Sequence, residues 1–171
     1  YQPRAATDYM LFSELIDIKK SGILRIDIEK EIQESINITE NFRNKNKKDI
    51  PIEKNYSKQI ANKIYQKIPQ IYGWKEFTPI AKRWCTQFNE NSKIICRFDE
   101  VSESNHNDIV GWSLNPDVTK KFVCILFRDN DLESIYLSTR FEFMKKLFKT
   151  NAADTIEIEI KGKKRLSKMM Y

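Results

Sequence analysis

Between Tyr56 and Ile68 the apolar residues fall four apart, as Tyr56, Ile60, Ile64 and Ile68, with Ala61 and Tyr65 widening the same stripe. That is the period of an α-helix. A stripe so broad marks a helix covered over much of its circumference. The spacing predicts a helix from about Tyr56 to Lys67, closed at Ile68-Pro69 because proline cannot continue it. Beyond it the grain changes to short apolar runs that read as strands: Lys93 to Phe98, Asp108 to Leu114, Lys121 to Arg128, Glu133 to Ser138 and Thr155 to Lys161. A short helix is expected from Pro79 to Phe88, and Phe141, Met144, Lys145 and Phe148 give another helical spacing. Asn130-Asp131 reads as a hairpin turn between two of the strands. The sum is an α+β fold, an antiparallel β-sheet wrapped around a central amphipathic helix at about 56–68.

The first fifty residues are less regular. Pro3 bars an early helix, Asp8 is placed to cap one through Tyr9, Leu11, Phe12, Leu15 and Ile16, and Ser21-Gly22 breaks it. Alternation from Ile23 to Ile28 favours a strand up to Glu29 over the start of a second helix. Asn41 to Lys48 lacks any apolar period and reads as an exposed basic loop.

At 171 residues the chain is expected to be a single domain, 1–171, which buries roughly 70% of its unfolded surface and needs neither disulfides nor a metal. With 32% charged residues it is too interrupted to span a membrane, so no membrane insertion is expected. The first residue is Tyr1 and not Met, which suggests a piece cut from a longer protein. Its formal net charge of +6 would suit an anionic partner, but with about three Lys for each Arg it reads as a solvated surface.

Few residues offer catalysis. Ser104, His106 and Asp108 lie close in sequence, but no G-x-S-x-G elbow exposes a nucleophile. Cys85, Cys96 and Cys124 with His106 lack the paired spacing of a zinc site, so no metal is expected and the thiols read as buried and reduced. Asp154, Glu157, Glu159 and Lys161 could be drawn as a metal-dependent nuclease, yet alternating Glu and Ile is what an edge strand with one wet face shows. No glycine loop could cradle phosphate, and no cofactor is called for. A binding surface is easier to draw. Trp112 follows the short polar run Asn105, His106 and Asn107, so an indole face and hydrogen-bonding groups would meet a sugar together. Trp74 is the second aromatic candidate.

The opening Tyr1-Gln2-Pro3, with Asp8-Tyr9 after it, and Trp74-Lys75 with Phe77 resemble the receptor-binding head of the rotavirus outer-capsid spike. Met10 stands where that pattern has Trp, and the strong helix departs from galectin-like heads, so the resemblance implies a divergent, group B-like version and not a galectin-like sandwich. It implies a non-catalytic attachment domain, part of a spike on the virion outer capsid surface, made in the host cytoplasm and binding host cell-surface glycans of galactose, lactosamine or sialic-acid type. The basic run at 161–171, cut at Lys164 and Arg165, would then be the protease-sensitive tail between head and stalk. The alternative is a sequence-specific DNA-binding module of a bacterial restriction system, placing the 41–48 loop and the 161–165 run on nucleic acid.

Overall fold

The computed structural model describes residue 2 and residues 6–23 and 26–171. The chain divides into two compact units, one of Tyr1–Phe42 and Lys161–Tyr171, the other of Arg43–Ile160.

The first unit opens on α1 (Thr7–Lys20), with Asp8 in its first turn and not at its cap. Gly22 follows at a φ of +78°, where only glycine sits without strain. Pro3, Leu24 and Arg25 lie outside the described residues. No strand ends at Glu29: α2 (Ile28–Asn46) begins there instead, and the carboxylate of Asp27 accepts a 3.3 Å hydrogen bond from the Lys30 amide. Asp27 caps the helix and Ile28 is its buried anchor, so a six-residue alternation gives way to a capped helix. The same helix takes in most of the expected 41–48 loop.

In the second unit α3 (Tyr56–Ile64) is shorter than its stripe, because Gln66 takes a φ of +58° and the chain turns into β1 (Ile68–Gly73). Asn55, fully buried, caps α3 by accepting from the Lys58 amide at 2.9 Å. There follow α4 (Phe77–Gln87), a π-helical turn at Phe88–Ser92, β2 (Arg97–Glu100), and three one-turn helices, α5 (Val101–Ser104), α6 (Asp108–Gly111) and α7 (Pro116–Thr119). β3 (Phe122–Arg128), α8 (Ile135–Asn151) and β4 (Asp154–Glu159) complete it. The first unit closes with α9 (Arg165–Met170), around whose start the Lys163 and Leu166 amides donate to Glu34 and Glu31 of α2.

The four strands form one sheet in the order β2-β1-β3-β4, parallel at every pairing. This overturns the antiparallel sheet around a central helix. Each connection carries helix, as parallel strands require, and the architecture is a Rossmann-like α/β layer. Asn130-Asp131 is accordingly no hairpin: Ser134 caps α8 by accepting from the Leu137 amide, and Glu133–Ser138 leads into that helix instead of forming a strand. Asp108–Leu114 likewise holds α6. β1 escapes the sequence pattern because Pro69 reads as a stop. It is tolerated because Ile68 bonds toward β3, so position 69 faces the β2 side, and β2 pairs only from Gln70 onward.

Register divides the core into two layers. Tyr72, Cys124 and Leu126 point to one face with α8, where the Tyr72 ring stacks on Phe148 at 5.2 Å. Phe127 points to the other and meets Trp84 of α4 edge-on at 5.2 Å. The Tyr56 hydroxyl donates to the Glu157 carbonyl and Lys63 pairs with Asp154 at 2.9 Å, tying α3 to β4. Val123 through Phe127 are essentially without exposure, the unbroken apolar run of a strand covered on both faces. Each such side chain contributes about 1.5–3 kcal/mol. Gly73 must be glycine: a Cβ there would stand 2.4 Å from the Phe77 carbonyl oxygen.

Candidate functional site

From β1 the chain crosses to β2 on one side, then returns past β1 to β3 on the other. In such sheets ligands gather beyond the carboxyl ends of the strands. Two polar nodes stand at that edge, one buried and one half-buried.

The first is at the end of β3. Arg128 donates through Nε and Nη2 to both oxygens of Glu133 at 2.9–3.1 Å, and through Nη1 to Glu142 at 3.2 Å and Glu157 at 2.6 Å. Its guanidinium lies over Phe141, 4.6 Å from the ring centre. Burial works against the charge, and the Glu133 hydrogen bond and charge, with Glu142 and Glu157, outweigh it and raise the pKa. Lys145 closes on Glu157 from outside. All three guanidinium nitrogens of Arg128 donate to carboxylates, so this node holds the fold.

The second node carries the sequence-derived residues. Tyr72, fully buried near the end of β1, donates its hydroxyl to Asp108 Oδ2 at 2.6 Å, and Trp112 Nε1 donates to the same oxygen at 2.9 Å. Trp112 is 6% exposed and touches Phe122 and Phe148, so its ring belongs to the core. Asn105 donates to the Val101 carbonyl at 2.8 Å and to the Met144 sulfur at 3.0 Å, and Asn107 to Glu103 at 2.7 Å. His106 stands exposed between them, its amide bonded to the Glu103 carbonyl. The structure thus brings Asn105, His106, Asn107 and Trp112 into one turn and keeps Trp74 apart, buried, donating to the Phe127 carbonyl at 3.1 Å. Asp99, Glu100, Glu103 and Asp108 make the turn acidic. Burial, with Asp108 nearby, raises the pKa of Asp99. An imidazole among carboxylates is suited to moving protons and unsuited to gripping phosphate.

The other candidates separate. Ser104 Oγ bonds to Val101, not to His106. Asp154 pairs with Lys63, while Glu157, on the opposite face of β4, pairs with Arg128 and Lys145. Burial pushes the Cys124 thiol up, with Asp108 adding to it, and burial followed by the adjacent Cys85 does the same for Cys96. Among the described residues no three or more His, Cys, Asp and Glu side chains gather as for a metal ion. Lys164 and Arg165 are exposed at the start of α9. Two features leave no mark in the sequence pattern. Tyr72 is hidden with β1. The π-turn after α4 carries exposed Glu90 and ends on Lys93 at a φ of +57°, held by Asn89, which donates to the Cys85 carbonyl and accepts from the Cys96 amide. Such turns recur at functional sites.

Residues 53–171 match the family model described as the bacterial phospho-glucose isomerase C-terminal SIS domain. The chain belongs to this family. A bifunctional phosphoglucose/phosphomannose isomerase of Caldicellulosiruptor bescii is 32% identical over 169 residues, covering 98% of this chain and 49% of the relative. One of the same name from Aquifex aeolicus is 31% identical, covering 100% and 48%. A glucose-6-phosphate isomerase-like protein from Thermus thermophilus shares the fold with a TM-score of 0.69 at 16% identity, over 83% of this chain and 47% of that one. The chain spans about half the length of the relatives it matches.

Membership in the SIS family overturns the rotavirus resemblance, and with it the outer-capsid partners, the virion location and the host-glycan attachment role. It equally removes the DNA-binding alternative. The expectation of a non-catalytic domain falls too, since the relatives are named as isomerases. About ten residues carried the resemblance, among them Tyr1 and Pro3, which lie outside the described residues, and the buried Trp74.

Proposed function

We propose that this SIS domain serves aldose–ketose isomerisation of a hexose phosphate, with His106 as a proton-transfer group. The reaction takes a proton from the carbon beside the carbonyl and returns one to the former carbonyl carbon, while a proton passes between the two oxygens. No atom is gained or lost, so acid–base groups suffice. The observation that carries the reading is His106 itself, the single histidine of the chain, exposed on a turn anchored over the carboxyl ends of β1 and β2. Glu90 is the second candidate, on the strength of the π-turn and the left-handed residue that closes it.

Turnover of glucose 6-phosphate and mannose 6-phosphate to fructose 6-phosphate by a coupled assay tests this. His106→Gln should lower kcat by about 10²–10⁴-fold, the usual size of a lost acid–base group. Glu90→Gln should do the same if it shares the proton transfer. Unchanged turnover in His106→Gln would remove the assignment.

A further inference from the structure

We infer that Asp108 is a positioning residue, clamped by Tyr72 and Trp112 so that the turn bearing His106 is held in one orientation over the strand ends. This rests on the reading of His106 as a proton-transfer group.

The clamp is built from both sides. Tyr72 and Trp112 reach the same Asp108 oxygen at 2.6 and 2.9 Å, and both rings lie against Phe148, at 5.2 and 4.7 Å between centres. Phe148 is without exposure, so the two donors are fixed by a shared wall and cannot follow Asp108 if it moves. Burial, reinforced by Cys124 and Asp108, raises the Tyr72 pKa far above its ordinary value, which keeps the hydroxyl a donor. On the other side of His106, Asn105 is fastened to Val101 and to Met144 of α8. His106 is therefore the exposed crest between two residues tied to the core, with Asn107 steadied by Glu103. A sheet needs no such clamp to fold. A half-buried carboxylate receiving two donors from buried side chains is a costly way to fill space, because both donors are left unsatisfied when it goes. Its placement two residues from the exposed imidazole is what a closely aimed group requires.

Because the chain has one histidine, its imidazole resonances report on residue 106 alone. In the full chain, Tyr72→Phe keeps the ring stack and deletes one donor, and Asp108→Ala deletes the acceptor. Both should shift and broaden the His106 ring signals. Both should also lower kcat for hexose-phosphate isomerisation by roughly tenfold to hundredfold with KM within about twofold, the signature of misaimed chemistry. Asp108→Asn, which retains an acceptor, should restore most of both readouts. Ile64→Val, a core change on α3, should move neither. The inference is overturned if the His106 signals are unchanged in Tyr72→Phe and Asp108→Ala, or if Ile64→Val moves them equally. If His106→Gln leaves turnover intact, the proton-transfer reading fails by itself, and the resonance arm still decides whether Asp108 sets the turn.

Discussion

Arg128 and Asp108 both sit at the carboxyl edge of the sheet on the α8 side, the first buried and the second half-buried, and each gathers several polar partners, yet they do opposite things. Arg128 turns Nε, Nη1 and Nη2 onto Glu133, Glu142 and Glu157 and is itself buried, so it presents little to a ligand. Asp108 gathers two donors inward and leaves His106 and Asn107 in solvent. A node in which every member satisfies another stabilises one arrangement of the chain. A node whose members are tied on one side only presents the other side for chemistry. Burial and charge alone would have ranked Arg128 first. The difference lies in where the unspent groups point.

The largest effect that separates the nodes is expected from Arg128→Ala. Glu133 has a side chain only 3% exposed and would lose its charged partner in the interior, keeping the Asp129 amide as a donor. Removing one member of a buried pair costs about 3–5 kcal/mol. Urea unfolding should show that loss, while the His106 resonances of the folded protein stay where they are. A loss below about 1 kcal/mol, the size of a surface pair, would mean that the Arg128 node does not hold the fold.

How much of this is legible in the sequence depends on what each segment packs against. The Tyr56 stripe and the unbroken apolar run of β3 announce themselves, because burial on a fixed face leaves a period. Strand direction leaves none. The parallel sheet follows from crossovers, and these are obscured where Pro69 hides β1 and where Ser134, a helix cap, sits in a run that reads as strand. In the site, the run Asn105, His106 and Asn107 with Trp112 is visible as a cluster of polar groups beside an indole. Its meaning is not, since Trp112 supplies an inward hydrogen bond and its partner Tyr72 is 36 residues away in sequence from Asp108. Of the residues behind the viral resemblance, Trp74 and Phe77 are buried in the core, but a few matched positions without a period fix neither the order nor the direction of strands, and so they mislead about the fold.

Trp112→Phe should have an intermediate effect. The ring remains against Phe122 and Phe148, and only the Nε1 donation to Asp108 goes. A hydrogen bond to a charged group contributes about 1.5–3 kcal/mol, and Asp108 keeps Tyr72, so the loss should fall at or below the lower end of that range. Thermal melting measures it. A loss as large as that of Arg128→Ala would make the Asp108 node as structural as the other and erase the contrast between them.

The smallest effect is expected at Asp99, on the rim of the open node, and its sign is opposite. Its folded pKa is raised from 3.8, by burial first and by Asp108 among its neighbours. The folded state therefore holds its proton more tightly than the unfolded chain does. Stability falls as pH rises from the ordinary Asp value through the raised one, and the penalty is fully present at neutral pH. Asp99→Asn cannot ionise and keeps an oxygen to accept from the Glu100 amide, as Asp99 does now at 2.7 Å. At pH 7 this variant should melt slightly higher than the parent, and the gap should close as the pH is lowered below about 4, near the unperturbed Asp value. Melting curves for both proteins across that window decide the matter. A variant that melts lower at neutral pH would show that the Asp99 charge is welcome there, and the acidic rim would then be part of what holds the turn and not a strain carried for its chemistry.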